Sequence, residues 1–184
     1  MSEGLDNNYQ VKVYLDEKTF YNFAWFDMLV VKRRILPQIL FFLIMVAFSC
    51  IAFWRASVTV EGTFLGNALL VIGVIVPLAY MVSFYFSLQD QAKKLNLVRP
   101  QYVYTLSISG DTGLTVEKGE QKAVIPWKVI YALYHRKGCS YIYVNKSQAY
   151  LLPYRNVRGN VDKLCALLDA KIPNHTKRRM EKKL

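Results

Sequence analysis

The sequence predicts a membrane α+β protein: a two-helix transmembrane hairpin plus a small antiparallel β domain capped by a C-terminal helix. Three observations predict it. Ile35–Trp54 and Phe64–Leu88 are apolar runs without a charged residue. From Gln101 onward, short alternating segments are separated by turn residues. Near the end, Val161, Leu164, Cys165, Leu168 and Ile172 repeat at helical spacing.

The elements follow in chain order. Met1–Asn8 is polar. Tyr9, Val11, Val13 and Leu15 alternate with Gln10, Lys12 and Tyr14, a strand pattern. Asp16 fits a helix N-cap, with Glu17 in the first turn where the helix dipole favours it. Phe20–Val31 is dense in aromatic residues just before Lys32, Arg33 and Arg34. It reads either as an interfacial helix at headgroup level or as a core-packing helix of the soluble domain.

Roughly 20 helical residues cross the roughly 30 Å hydrocarbon core, so both apolar runs are long enough. Only Arg55–Thr63 separates them. A hydrophobic share of 53% fits an integral membrane protein with a real soluble part. The first run starts too late and is too long for a secretory signal, and no small-residue cleavage site precedes Trp54-Arg55. The alternative, two buried helices of a soluble protein, conflicts with that length free of charge. Lys32, Arg33 and Arg34 abut the first run, and Lys93, Lys94 and Arg99 follow the second. Positive flanks stay on the cytoplasmic side, so both termini are expected there and the loop outside.

Pro37 falls in the first turn of the first span and Pro77 inside the second. Gly62 and Gly66 have GxxxG spacing and Gly73 follows, so helices can approach closely there. These glycines serve either packing of the two spans on each other or homodimerisation. No ionisable residue lies within either span, which argues against an ion or proton path carried by this chain alone.

Gln89–Pro100 is a charged link. Strands are predicted at Tyr102–Ile108, Leu114–Lys118, Gln121–Ile125, Val129–His135, Cys139–Val144 and Ala149–Leu152. Ser109–Gly113, Gly119-Glu120, Arg136–Gly138 and Asn145–Ser147 carry turn chemistry. Asn160 caps the last helix and Pro173 stops it; residues 174–184 form a basic tail. The organisation is thus 1–34, spans 35–54 and 64–88 around a 55–63 loop, link 89–100, and a β domain at 101–173. A meander of short strands closed by one helix is the layout of a pleckstrin-homology-like barrel. The N-terminal strand lies on the same side of the membrane and can join its sheet.

Ile125-Pro126-Trp127, the later Ala149–Tyr154 segment, and the order strand, aromatic helix, basic residues, two spans and β domain together resemble YcxB-like bacterial membrane proteins. The resemblance implies a pleckstrin-homology-like C-terminal domain and the bacterial inner membrane. That family has no established common activity, so the resemblance implies no mechanism.

The formal net charge is +11, and from Gln89 onward 18 Lys and Arg face 7 Asp and Glu. The excess serves either solubility and topology or attraction to anionic lipid headgroups. No helix-turn-helix, zinc-knuckle or RNA-recognition pattern accompanies it, so no nucleic acid is expected. Cys50, Cys139 and Cys165 lack zinc-site spacing; Cys139, in a predicted turn, is the one expected to be exposed. There is no nucleophile elbow, phosphate loop or HExxH, and His135 and His175 have no catalytic neighbour in sequence. No cofactor or metal is expected, and the chain reads as a non-enzyme.

The best binding candidate is the basic turn His135, Arg136 and Lys137, with Lys118, Lys122 and Lys128 on neighbouring strands. Arg offers a fork and Lys a point charge to phosphate. A solvated hairpin tip is the plainer reading. The expected role is a membrane-anchored adaptor with a protein partner. Self-immunity against a membrane-acting toxin, or an accessory subunit of a transporter or secretion complex, are the alternatives.

Overall fold

The computed structural model describes residues 8–56 and 60–172. The predicted basic tail, His175 and the Pro173 stop lie outside the described residues. The chain divides into two compact units, Ala24–Leu95 and the pair Met1–Phe23 with Asn96–Leu184.

The first unit is built on two helices, α2 (Ile35–Ala56) and α3 (Val60–Lys94); α1 (Glu17–Phe26) precedes them. At 1.5 Å per residue they are about 33 and 52 Å long. Both are long and apolar enough to cross a membrane, yet only 6% of the most apolar window of each is buried. Core helices of a soluble protein would be covered, so the exposed apolar sides point to membrane association. α2 runs on to Ala56 and α3 from Val60 to Lys94, so both helices extend past the apolar runs.

α2 and α3 meet through small groups. Ser49 is 1% exposed, and its Oγ donates to the Gly66 carbonyl at 2.8 Å. A Cβ on Gly66 would lie 2.7 Å from the Phe53 ring, and one on Gly73 2.8 Å from Met45 Cβ. Pro77 sits inside α3. It offers no N–H to the carbonyl four residues earlier, that of Gly73.

The aromatic stretch before α2 is not one helix. α1 passes into a π-helical turn at Asp27–Val31, where the Lys32 N–H bonds to the Asp27 carbonyl at 2.8 Å. Asp27 and Lys32 form an ion pair at 2.6 Å, so one member of the basic cluster is already neutralised. Arg33 takes a left-handed φ of 48° where the chain enters α2, as does Asn96 (φ 52°) after α3. Trp25 packs edge-on against Phe84 at 5.3 Å.

Among its described residues the second unit holds seven strands, most of α1 and a further helix. β1 (Asn8–Leu15), β2 (Gln101–Ser109), β3 (Gly113–Lys118) and β4 (Gln121–Ile125) form one antiparallel sheet in that order. β5 (Ala132–Arg136), β6 (Cys139–Tyr143) and β7 (Ala149–Pro153) form a second. No ladder joins the two sheets among the described residues, so they do not close into a barrel. α4 (Val161–Lys171) follows, and the Asn160 side chain accepts from the Asp162 and Lys163 N–H groups at 2.9 and 3.2 Å.

The N-terminal strand does join the sheet: Val11 pairs with Leu106 and Leu15 with Gln101. Its inward residues Val11, Val13 and Leu15 are buried, as are Leu106, Ile108, Leu114, Ile142, Leu152, Leu164 and Leu168. Asp16 caps α1 through the Thr19 N–H at 3.1 Å. Phe23 of α1 stacks edge-on against Tyr141 of β6 at 5.2 Å, as a core-packing helix does.

The fourth predicted strand is shorter than expected. Trp127–Val129 makes a single 3-10 turn, with Trp127 buried, and β5 begins only at Ala132. Pro126 cannot donate to a ladder, so the chain turns a corner there. Gly113 (φ +117°) sits against that corner, and a Cβ on it would collide with the Ile125 carbonyl oxygen.

One hydroxyl ties the two sheets. Tyr104 in β2 donates to the Leu151 carbonyl at 2.9 Å and accepts from the Leu151 N–H at 2.8 Å. β7 has only β6 beside it in its own sheet, so this phenol stands in for part of a missing strand.

Candidate functional site

The six basic-site candidates do not form one patch. Lys118 ends β3 and Lys122 lies in β4, on either side of the Gly119-Glu120 turn. Lys128 lies in the 3-10 turn beyond the opposite end of β4. Arg136 and Lys137 sit at the β5–β6 hairpin, where Gly138 takes a φ of 83°.

Strand registers place the two hairpin tips. β2 starts at Gln101 beside Leu15, and Thr105 pairs with Glu117, so the β3–β4 turn lies at the end where β1 stops. β7 finishes at the same end. Arg155, just past it, pairs with Asp16 at 2.8 Å, and Asn156 donates to the Tyr14 carbonyl at 2.9 Å. The Tyr154 N–H reaches the Gly138 carbonyl at 3.0 Å, which fixes the β5–β6 turn there too. Lys118 and Lys137 therefore lie at the end of the β unit where β1 stops and β2 starts. Of the acidic groups at that end, Glu117 pairs with Lys122 at 2.9 Å and Asp16 with Arg155, while Glu17 and Glu120 lie there outside these pairs. The Arg155 guanidinium holds the Asp16 carboxyl down at about 2.

A shallow cleft of about 380 Å³ opens at this end, lined by Asp16, Glu17, Lys18, Tyr21, Leu97 and Val98. It is too open to enclose a small molecule.

His135 is not part of the exposed turn. It belongs to β5, on the same strand face as the buried Leu133, and its side chain is 13% exposed. Its Nδ1 lies 2.8 Å from Ser140 Oγ and 3.3 Å from Tyr154 OH. Ser140 and Tyr154 bond each other at 2.8 Å, and the Cys165 thiol donates to Tyr154 OH at 3.7 Å. On the other side, His135 Nε2 lies 3.4 Å from Asp169 Oδ1 of α4, within ion-pair reach but without hydrogen-bond geometry. The five polar groups thus fasten the helix to the β5–β6 hairpin.

Serine, histidine and aspartate together invite comparison with a hydrolytic triad. Ser140 is fully buried and its hydroxyl is bonded to Tyr154, so no substrate reaches it in this state. Burial also raises the Tyr154 phenol and the Cys165 thiol above their ordinary ranges, and pushes Cys139 up to about 12. A thiol held protonated is a poor nucleophile. Cys139 is buried rather than exposed, because the turn is confined to Lys137-Gly138 and Cys139 already belongs to β6; Cys50 is the exposed cysteine. Among the described residues, no group of three His, Cys, Asp or Glu side chains could hold a metal.

Sequence reasoning missed the Tyr104–Leu151 tie, the second role of Asp16 and the polar cluster. Only His135 left a signal, its shared strand parity with Leu133.

A chain with two helices long and apolar enough to span a membrane and a β unit of two antiparallel sheets is the class these observations define. Residues 110–160 match the family model of YcxB-like proteins, the family that the order of elements resembles. The match covers β3 to β7 and ends at the Asn160 cap of α4. No curated protein and no solved structure matches the chain significantly.

Proposed function

We propose that this chain is a non-enzymatic membrane-anchored adaptor. The two helices span the bacterial inner membrane as a hairpin with both termini cytoplasmic. The four-stranded and three-stranded sheets with α4 are an open pleckstrin-homology-like module. The pairing of β1 with β2 supports this topology, since strands on either side of the helical hairpin meet only if the chain returns to its starting side. The basic end of the module rests on anionic headgroups, and its remaining surface receives a protein partner.

The observation that carries this reading is the shared end. Exposed lysines at two hairpin tips lie at one end of the β unit, the end where β1 stops and β2 starts. Each lysine near an anionic leaflet contributes about 1 kcal/mol of attraction, screened by salt.

The test uses the intact protein in nanodiscs of anionic or zwitterionic lipid and a water-soluble amine-acylating reagent. In anionic discs at low salt, Lys118 and Lys137 should react about fivefold more slowly, the equivalent of about 1 kcal/mol. Lys128 and Lys146, at the other end, serve as internal references. Equal reactivity of all four lysines in both lipids would reject the headgroup contact.

A further inference from the structure

We infer that the free edge of β4 is a strand-addition site for an extended, acidic segment of a partner protein. The inference rests on the adaptor reading for its biological sense, and it names the kind of partner the module takes.

Among the described residues the two sheets have four edge strands, and three of them are partly engaged or buried. β1 gives its Tyr14 carbonyl to Asn156 and Arg155. β7 has the Leu151 N–H and carbonyl taken by Tyr104. β5 is buried from Ala132 to Tyr134. β4 differs: it is last in its sheet, and Gln121–Val124 are exposed on both faces of the strand. Only Ile125 at its end enters the core. A strand with an open side presents unpaired backbone N–H and C=O groups at regular spacing, which is a template for another strand.

Side chains along this edge select the occupant. Lys118 lies before the turn that begins it and Lys128 just beyond its end, while Lys122 within it is tied to Glu117. Glu117 is already held by Lys122, which leaves Glu120 in the turn as the nearest opposing charge. Two copies of this chain joined edge to edge would bring their lysines together, the arrangement by which edge strands avoid self-pairing. An acidic segment gains from the same charges. Val124 (58% exposed), with Val129 and Tyr131 beyond the corner, offers apolar contacts for alternate residues of the incoming strand.

The probe is a capped, fluorescent peptide of alternating Glu and Val, about eight residues long to match a strand. One control replaces its valines with Pro, which cannot donate to a ladder; a second replaces Glu with Lys. Intact protein is held in zwitterionic nanodiscs, so headgroup binding neither helps nor competes, and a failure here leaves the lipid reading standing. The Glu-Val peptide should give saturable anisotropy and slow amide exchange at Gln121–Val124. The Lys118→Glu, Lys128→Glu double variant spares the Lys122–Glu117 pair and should bind about tenfold more weakly. If that variant does not fold, the prolyl control on the native protein decides. Equal binding of the prolyl peptide, absence of protection at residues 121–124, or protection that rises with protein concentration without peptide would each overturn the proposal.

Discussion

Tyr104→Phe is the sharpest test of how the β unit is held together. Tyr104 is 7% exposed and Leu151 6%, so water does not readily replace what the hydroxyl does. Its removal deletes two hydrogen bonds at once, one given and one received. It leaves a backbone N–H and a backbone C=O of β7 buried without partners. Each such group costs about 1–3 kcal/mol, so about 2–6 kcal/mol is expected for the pair. That corresponds to a roughly 30-fold or greater rise in opening of β7, at about 1.4 kcal/mol per decade. For a unit of this size, melting should fall by on the order of 10 °C or more. Burial raises the Tyr104 phenol above its ordinary range, so the hydroxyl stays protonated and the effect should not vary between pH 6 and 9. The assay is amide exchange at Leu151 in the intact protein, beside a thermal melt. Tyr102→Phe is the control: its ring is 46% exposed and its hydroxyl meets only Thr105 Oγ1 at 3.0 Å, so it should shift the melt little. Leu151 exchange unchanged within a factor of two in Tyr104→Phe would refute the account of the tie.

Arg155→Met should release Asp16 from about 2 toward its ordinary value, read from the carboxyl carbon shift in a pH titration; a titration still centred near 2 would contradict the pair. Because the folded-state value is the lower one, the stabilisation is present above about 3.8 and is lost as pH falls through about 2. Arg155 is 45% exposed, so the loss at neutral pH should stay below about 1 kcal/mol. Gly73→Val should drive a methyl-bearing Cβ into Met45 Cβ and cost about 1–3 kcal/mol in a detergent melt, with Met45→Gly, which removes that carbon, restoring part of it; a second change that restores nothing would place the damage elsewhere.

What was legible in the sequence is what is local. The apolar runs, the β3–β4 hairpin and the Asn160 cap each depend on residues within a few positions of one another, where periodicity and turn chemistry speak directly. Asp16 was legible as a cap for Thr19 but not as the partner of Arg155, because no short-range pattern links residues so far apart in sequence. The basic site was half legible. Arg136 and Lys137 sit at a hairpin as predicted, but charge alone did not tell which lysines share an end of the fold; strand register did. His135 was read with its basic neighbours, although strand parity sets it with Leu133 and turns it inward. Cys139 was misplaced by one turn boundary, which suffices to reverse exposure at a strand end.

The first strand of the β unit precedes the apolar helices and its partner follows them. During synthesis at about 5–20 residues per second, Leu15 therefore waits roughly 4–17 s before Gln101 is made. In that interval the ribosome delivers both apolar helices, while Val11, Val13 and Leu15 have no β2 to bury them. The unit can complete itself only when the later half of the chain emerges in the same compartment as the earlier half. Completion of the β unit thereby reports that both halves of the chain lie on one side of whatever the helices enter.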